Sequence, residues 1–201
     1  GAVFTDNYAN SGTVTLSSNS VVNYAATAVN QTISSAYTYS TLIISGAGVK
    51  SLAANLPALR SSVTSNGNIT VNSGTLDLGS FTANRGASTT GGSLTLASGA
   101  FLKIGGANPF PSNYSTVILN LTSTVEYNGT NQTVSAKTYG NLVLSSSSGA
   151  ATKTMPATAF TIAKDLTSNI GSGTSVSYTA ASSITVSGNI NIGTSTTFNG
   201  A

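Results

Sequence analysis

Charge is scarce in this chain. Only 5% of its 201 residues are Asp, Glu, Lys or Arg, against roughly 25% in an ordinary soluble domain. The seven cations are Lys50, Arg60, Arg85, Lys103, Lys137, Lys153 and Lys164, and no two are adjacent. A nucleic-acid binder needs clustered Lys and Arg to displace counterions from phosphates. The net charge of +3 therefore does not point to nucleic acid. Cysteine is absent, which excludes disulfides and thiolate metal sites. Histidine is absent too, which removes the usual general base, the Ser–His–Asp nucleophile and imidazole ligands. No Asp- and Gly-rich calcium loop occurs, so neither a metal nor any other cofactor is expected. No apolar run approaches the roughly 20 residues of a membrane helix, so no membrane span is expected. The chain starts at Gly1 without a leader-like segment and reads as processed or cut from a longer chain.

What fills the chain instead is alternation. Val14 and Leu16, Ile69 and Val71, Leu76 and Leu78, Leu94 and Leu96, Leu102 and Ile104, Ile184 and Val186, and Ile190 and Ile192 are apolar pairs two residues apart. Period two places each pair on one face of a strand. Polar punctuation such as Asn72-Ser73-Gly74 and Ala97-Ser98-Gly99-Ala100 separates the pairs. Gly supplies the positive φ that tight corners need. Helix signals are few. Pro57 interrupts "KSLAANLPALRSS", and "MPATAFTIAKDL" lacks a sustained 3.6-residue pattern; both segments read as irregular or strand.

The chain also repeats itself. "SVVNYAATAVNQTISSAYTYSTLIIS" (Ser20 to Ser45) returns as "STVEYNGTNQTVSAKTYGNLVLS" (Ser123 to Ser145). Self-similarity with short, closely spaced strands predicts an all-β parallel β-solenoid, with β-sandwich repeats as the alternative. Asn128-Gly129 is a hairpin-type dipeptide that speaks for the alternative. Residues 1–19 read as a β-prone extension able to serve as an assembly strand. Residues 20–201 read as a solenoid of two related copies, 20–122 and 123–201. At roughly 20 to 25 residues per turn the chain would make about 8 to 10 turns, stacked about 4.8 Å apart.

The second copy resembles repeats of very large secreted bacterial surface proteins. The likeness is carried by Thr124-Val125-Glu126-Tyr127-Asn128-Gly129, Gln132-Thr133-Val134-Ser135 and Tyr139-Gly140-Asn141-Leu142. The first copy departs from it, with Ala25 and Ala26 in place of Asn-Gly. The resemblance implies an extracellular or cell-surface β-helical protein, adhesin-like or scaffold-like, and brings no catalytic residue with it.

The four acids, Asp6, Asp77, Glu126 and Asp165, are far apart in sequence, and no catalytic residue or enzyme activity is expected from them. A solenoid could still stack distant acids together, which keeps a polysaccharide-active enzyme as a third reading. Six sequons place candidate glycosylation at Asn30, Asn68, Asn113, Asn120, Asn128 and Asn131. The leading reading is a structural subunit or segment of a surface filament or fibre, partnered by itself. Its assembly interface is expected at Val3, Phe4 and Tyr8 at one end and Thr197 and Phe198 at the other, paired head to tail by strand addition. The alternative is an adhesin-type module for glycan or another surface. Ice is its weaker form, suggested by Thr13/Thr15 and Thr152/Thr154.

Overall fold

The computed structural model describes residues 14–168, 176–180 and 182–199. The strands of the first half are β1 (Val21–Tyr24), β2 (Gln31–Ile33), β3 (Thr41–Ile44), β4 (Val49–Leu52), β5 (Asn68–Val71), β6 (Thr75–Asp77), β7 (Ser93–Leu96), β8 (Phe101–Ile104) and β9 (Thr116–Leu119). The second half carries β10 (Thr124–Tyr127), β11 (Gln132–Thr133), β12 (Asn141–Leu144), β13 (Ala151–Thr154), β14 (Phe160–Ile162), β15 (Leu166–Ser168), β16 (Val176–Thr179), β17 (Ile184–Val186), β18 (Ile190–Ile192) and β19 (Thr196–Asn199). Every pairing among the described strands is parallel. The chain is a β-solenoid of about 7 turns, and the sandwich alternative falls. Paired strands on successive turns are offset by 17 to 27 residues, much as the sequence rhythm predicts, and the number of turns is lower because the first described strand begins only at Val21.

The first sheet runs β1-β3-β5-β7-β9 and the second β2-β4-β6-β8-β10-β12-β15-β18. The third is β11-β13-β16-β19 and the fourth β14-β17. Alternation sets what each sheet buries. Leu42, Ile69 and Leu94 stack in register on the first sheet. On the second, Leu76, Leu102, Val125, Leu142 and Leu166 form one inward ladder. All eight are at most 2% exposed, and each such side chain contributes about 1.5–3 kcal/mol of burial. The corners from the first sheet to the second turn on Gly46, Gly74 and Gly99, with φ of 76°, 72° and 71°. That is the left-handed region where a Cβ is costly. At Gly74 a Cβ would also lie 2.2 Å from the Gly46 carbonyl oxygen on the turn below.

The two sequence copies sit on different sides of the rod. The first places its three opening strands β1, β2 and β3 in the first, second and first sheets. The second places the equivalent β10, β11 and β12 in the second, third and second. The repeat has advanced by one side. At the changeover the first sheet stops at β9 and the third begins at β11, while the second sheet runs on across residues 122 and 123.

Candidate functional site

The repeat carries a buried hydrogen-bond device. In the first copy Tyr39 Oη–H donates to the Ser34 carbonyl at 2.7 Å, and the Ser34 N–H donates to Tyr24 Oη at 3.0 Å. The two hydroxyls are 3.1 Å apart. A phenol has one proton to give. Tyr39 spends its own on Ser34, so Tyr24 is the donor between them and the three groups close a ring. The second copy repeats the ring with Tyr139 to the Ser135 carbonyl at 2.6 Å, Ser135 N–H to Tyr127 at 3.2 Å, and the hydroxyls 3.1 Å apart. Burial raises the Tyr39, Tyr127 and Tyr139 hydroxyls above the ordinary tyrosine value. The matching Tyr39 and Tyr139 of the sequence are thus core residues, each at most 1% exposed.

A second repeated device is a buried lysine. Lys50 and Lys153 stand opposite Gln31 and Gln132 in the parallel register, and both are 0% exposed. Lys50 Nζ donates to the carbonyls of Ala26, Gly46 and Gly48 at 2.8, 3.1 and 3.1 Å. Lys153 Nζ donates to the Gly129 and Thr130 carbonyls at 2.7 and 3.2 Å and to Gln132 Oε1 at 2.6 Å. Desolvation lowers both amines, Lys153 to about 8. Arg85 does similar work between turns. It is 1% exposed and donates to the carbonyls of Asn66, Gly86, Thr89 and Val63. These cations collect corner carbonyls that no strand pairs, in a chain without disulfides. The sequence reading, which looked only for cation clusters, missed all three. A signal existed for the lysines: Lys50 shares the inward parity of Leu52, and Lys153 that of Ala151 and Met155.

The acids are placed as follows. Asp77, Lys103 and Glu126 line up across β6, β8 and β10 on the outer side of the second sheet. Lys103 Nζ and Glu126 Oε2 are 3.3 Å apart, and Glu126 Oε1 accepts from Ser145 Oγ at 2.6 Å. Asp77 Oδ1 accepts from the Gly79 N–H, and Asp165 Oδ1 from the Asn189 N–H. Stacking thus brings Asp77 within two strands of Glu126 with a lysine between, while Asp165 serves a corner. Among the described residues no group of three metal-ligating side chains occurs.

Of the sequons, Asn30 and Asn131 are exposed equivalents whose Oδ1 atoms accept from Val49 and Thr152 N–H on the next turn. Asn68 Nδ2 donates to the Ser65 carbonyl and Asn113 Nδ2 to the Arg85 carbonyl, so both amides are used in holding corners. Asn120 is exposed beyond β9, and Asn128 is half-buried at the corner after β10. Val3, Phe4, Tyr8, Thr13 and Asp6 lie outside the described residues. Thr197 and Phe198 lie on β19, where Phe198 is 46% exposed with its ring 4.8 Å from that of Tyr178. Thr152 and Thr154 face outward on β13. An open depression of about 240 Å³ is lined by Thr89, Thr90, Asn113, Tyr114 and Ser115 with Gly86 and Ala87. No protein-family model, curated protein or solved structure matches the chain.

Proposed function

We propose that the chain is a structural subunit or segment of an extracellular cell-surface filament, a rod that joins its neighbour head to tail by strand pairing. One observation carries this reading. Ile190 and Ile192 continue the inward ladders of Leu166 and Ser168, and Phe198 continues that of Tyr178. Those three predecessors are at most 2% exposed, whereas Ile190, Ile192 and Phe198 are 54%, 44% and 46% exposed. Among the described residues, no further turn covers these inward apolar positions on β18 and β19. A neighbour's first turn would bury them and satisfy the open strand edges. A contact repeated head to tail without closing gives a fibre. Extracellular placement rests on the resemblance of the repeat and on the scarcity of charge. A second reading, a glycan-binding module, rests on the hydroxyl-lined depression beside Tyr114.

Sedimentation velocity tests the assembly. The full chain should sediment as polymer. A double variant, Ile190→Lys with Ile192→Lys, and a chain lacking Gly1 to Asn10 should each sediment as folded monomer. A full chain that stays monomeric, or variants that polymerise like it, would overturn the proposal.

A further inference from the structure

Lys153 and Gln132 differ from the other buried polar pairs in what their contact permits. They face each other on neighbouring turns, β13 against β11, with Nζ 2.6 Å from the side-chain amide oxygen. Lys153 is 0% and Gln132 2% exposed. The amide is held on every side. Its oxygen also accepts the Gly129 N–H at 2.8 Å, and its nitrogen donates to the carbonyls of Ile104 and Asn108 at 2.8 and 3.2 Å. We infer that Lys153 and Gln132 join in an intramolecular isopeptide bond that the folded chain makes by itself.

The step balances without a co-reactant. The neutral Lys153 amine attacks Gln132 Cδ, and the bond from Nζ to Cδ forms. The Cδ–Nε2 bond breaks, one proton passes from Nζ to Nε2, and ammonia leaves. Nothing is oxidised or reduced. Each partner group has a role. The Gly129 N–H is a fixed donor aimed at the oxygen where negative charge develops. The Ile104 and Asn108 carbonyls accept hydrogen bonds from the departing nitrogen and hold it in place. The Gly129 and Thr130 carbonyls keep Nζ in place, which makes the reaction effectively unimolecular. Burial excludes the water that would compete as nucleophile, and desolvation brings the amine to about 8, so its neutral form is within reach near neutral pH. The charged side chain acting on the amine is Glu126, which raises it and so opposes the neutral form, but less than burial lowers it; Glu126 is itself paired with Lys103. The product keeps the hydrogen bond from the Gly129 N–H to the amide oxygen. It closes a loop of 21 residues, constraining the chain as a disulfide would.

The first copy is an internal control. Lys50 Nζ is taken by three backbone carbonyls, and Gln31 Oε1 accepts the Ala26 N–H. Lys50 should remain a free amine.

Intact-mass spectrometry of the purified full chain tests this. The expected mass is that of the sequence less one ammonia, with a branched peptide joining Lys153 to Gln132 in the digest. Lys153→Arg should restore the full mass. A full-mass parent chain would overturn the inference. So would an ammonia loss that survives in Lys153→Arg, which would place it in a cyclised Asn128-Gly129. A branched peptide at Lys50 would overturn the distinction between the copies. If Lys153→Arg fails to fold, the peptide map of the parent chain decides alone.

Discussion

Tyr139 shows what a single side chain does in this rod. Replacing it by Phe leaves the Ser135 carbonyl and the Tyr127 hydroxyl without their ring partner. An unsatisfied buried polar group costs about 1–3 kcal/mol. Tyr139→Phe should therefore destabilise by about that much in urea unfolding, and adding Tyr127→Phe should cost less than the sum of the two single changes. Additive losses would break the ring apart as a unit. The same tyrosines set the alkaline limit. Burial keeps Tyr39, Tyr127 and Tyr139 protonated in the folded chain beyond the ordinary value of 10.0, and pushes Tyr178 up to about 12. Below pH 10 both states hold these protons, so their contribution to stability is constant. Above it the unfolded chain releases them first, and stability falls as pH rises. Tyrosinate absorbance should then appear together with loss of circular dichroism in one transition; ionisation of those tyrosines in a still-folded chain would contradict this. Lys50 is the matching test for the buried amines. Lys50→Met strands the carbonyls of Ala26, Gly46 and Gly48 and should cost about 3 kcal/mol or more. Lys103→Ala, which removes a partly exposed ion pair, should cost less than about 1 kcal/mol. Equal losses would show that Lys50 holds no corner.

At the level of the strand, much was legible beforehand. Pairs such as Ile69 and Val71, or Leu102 and Ile104, point inward as their alternation requires, because a pleated strand buries every second residue. The Ser-Gly corners at Gly74 and Gly99 carry the positive φ that their composition suggested. Asn128-Gly129 misled, since it looks like a hairpin yet turns a parallel corner between β10 and β11. Gly129 is there because a Cβ would lie 1.8 Å from the Gly106 carbonyl oxygen. The advance of the repeat by one side was not legible. β1 and β10 need the same local pattern whichever side they occupy, and side is decided by stacking on the turn below. Arg85 shares the inward parity of Ala83, but one small alanine in a segment without a strand is a weaker marker than the Leu52 or Met155 that flank the lysines. The changeover leaves β9 as the last strand of the first sheet, with Ile118 52% exposed. Ile118→Lys should change stability by no more than about 0.5 kcal/mol. Leu142→Ala, at 0% exposure between β10 and β15, should cost about 2–5 kcal/mol. Urea midpoints in the reverse order would refute the assigned register.

Over the whole molecule, the second sheet is the spine. Eight strands from β2 to β18 stack without interruption while the other sheets begin or end around it. Such a rod is held by contacts between neighbouring turns, and its extension needs only another turn of matching register. The exposed inward positions on β18 and β19 are where that turn would seat. The most direct test is fibre diffraction from aligned assemblies of the full chain. Strands lie across the rod and turns stack along it, so the account predicts fibres with a reflection near about 4.8 Å along the fibre axis. A chain that forms no fibres, or fibres with that reflection perpendicular to the axis, would contradict it.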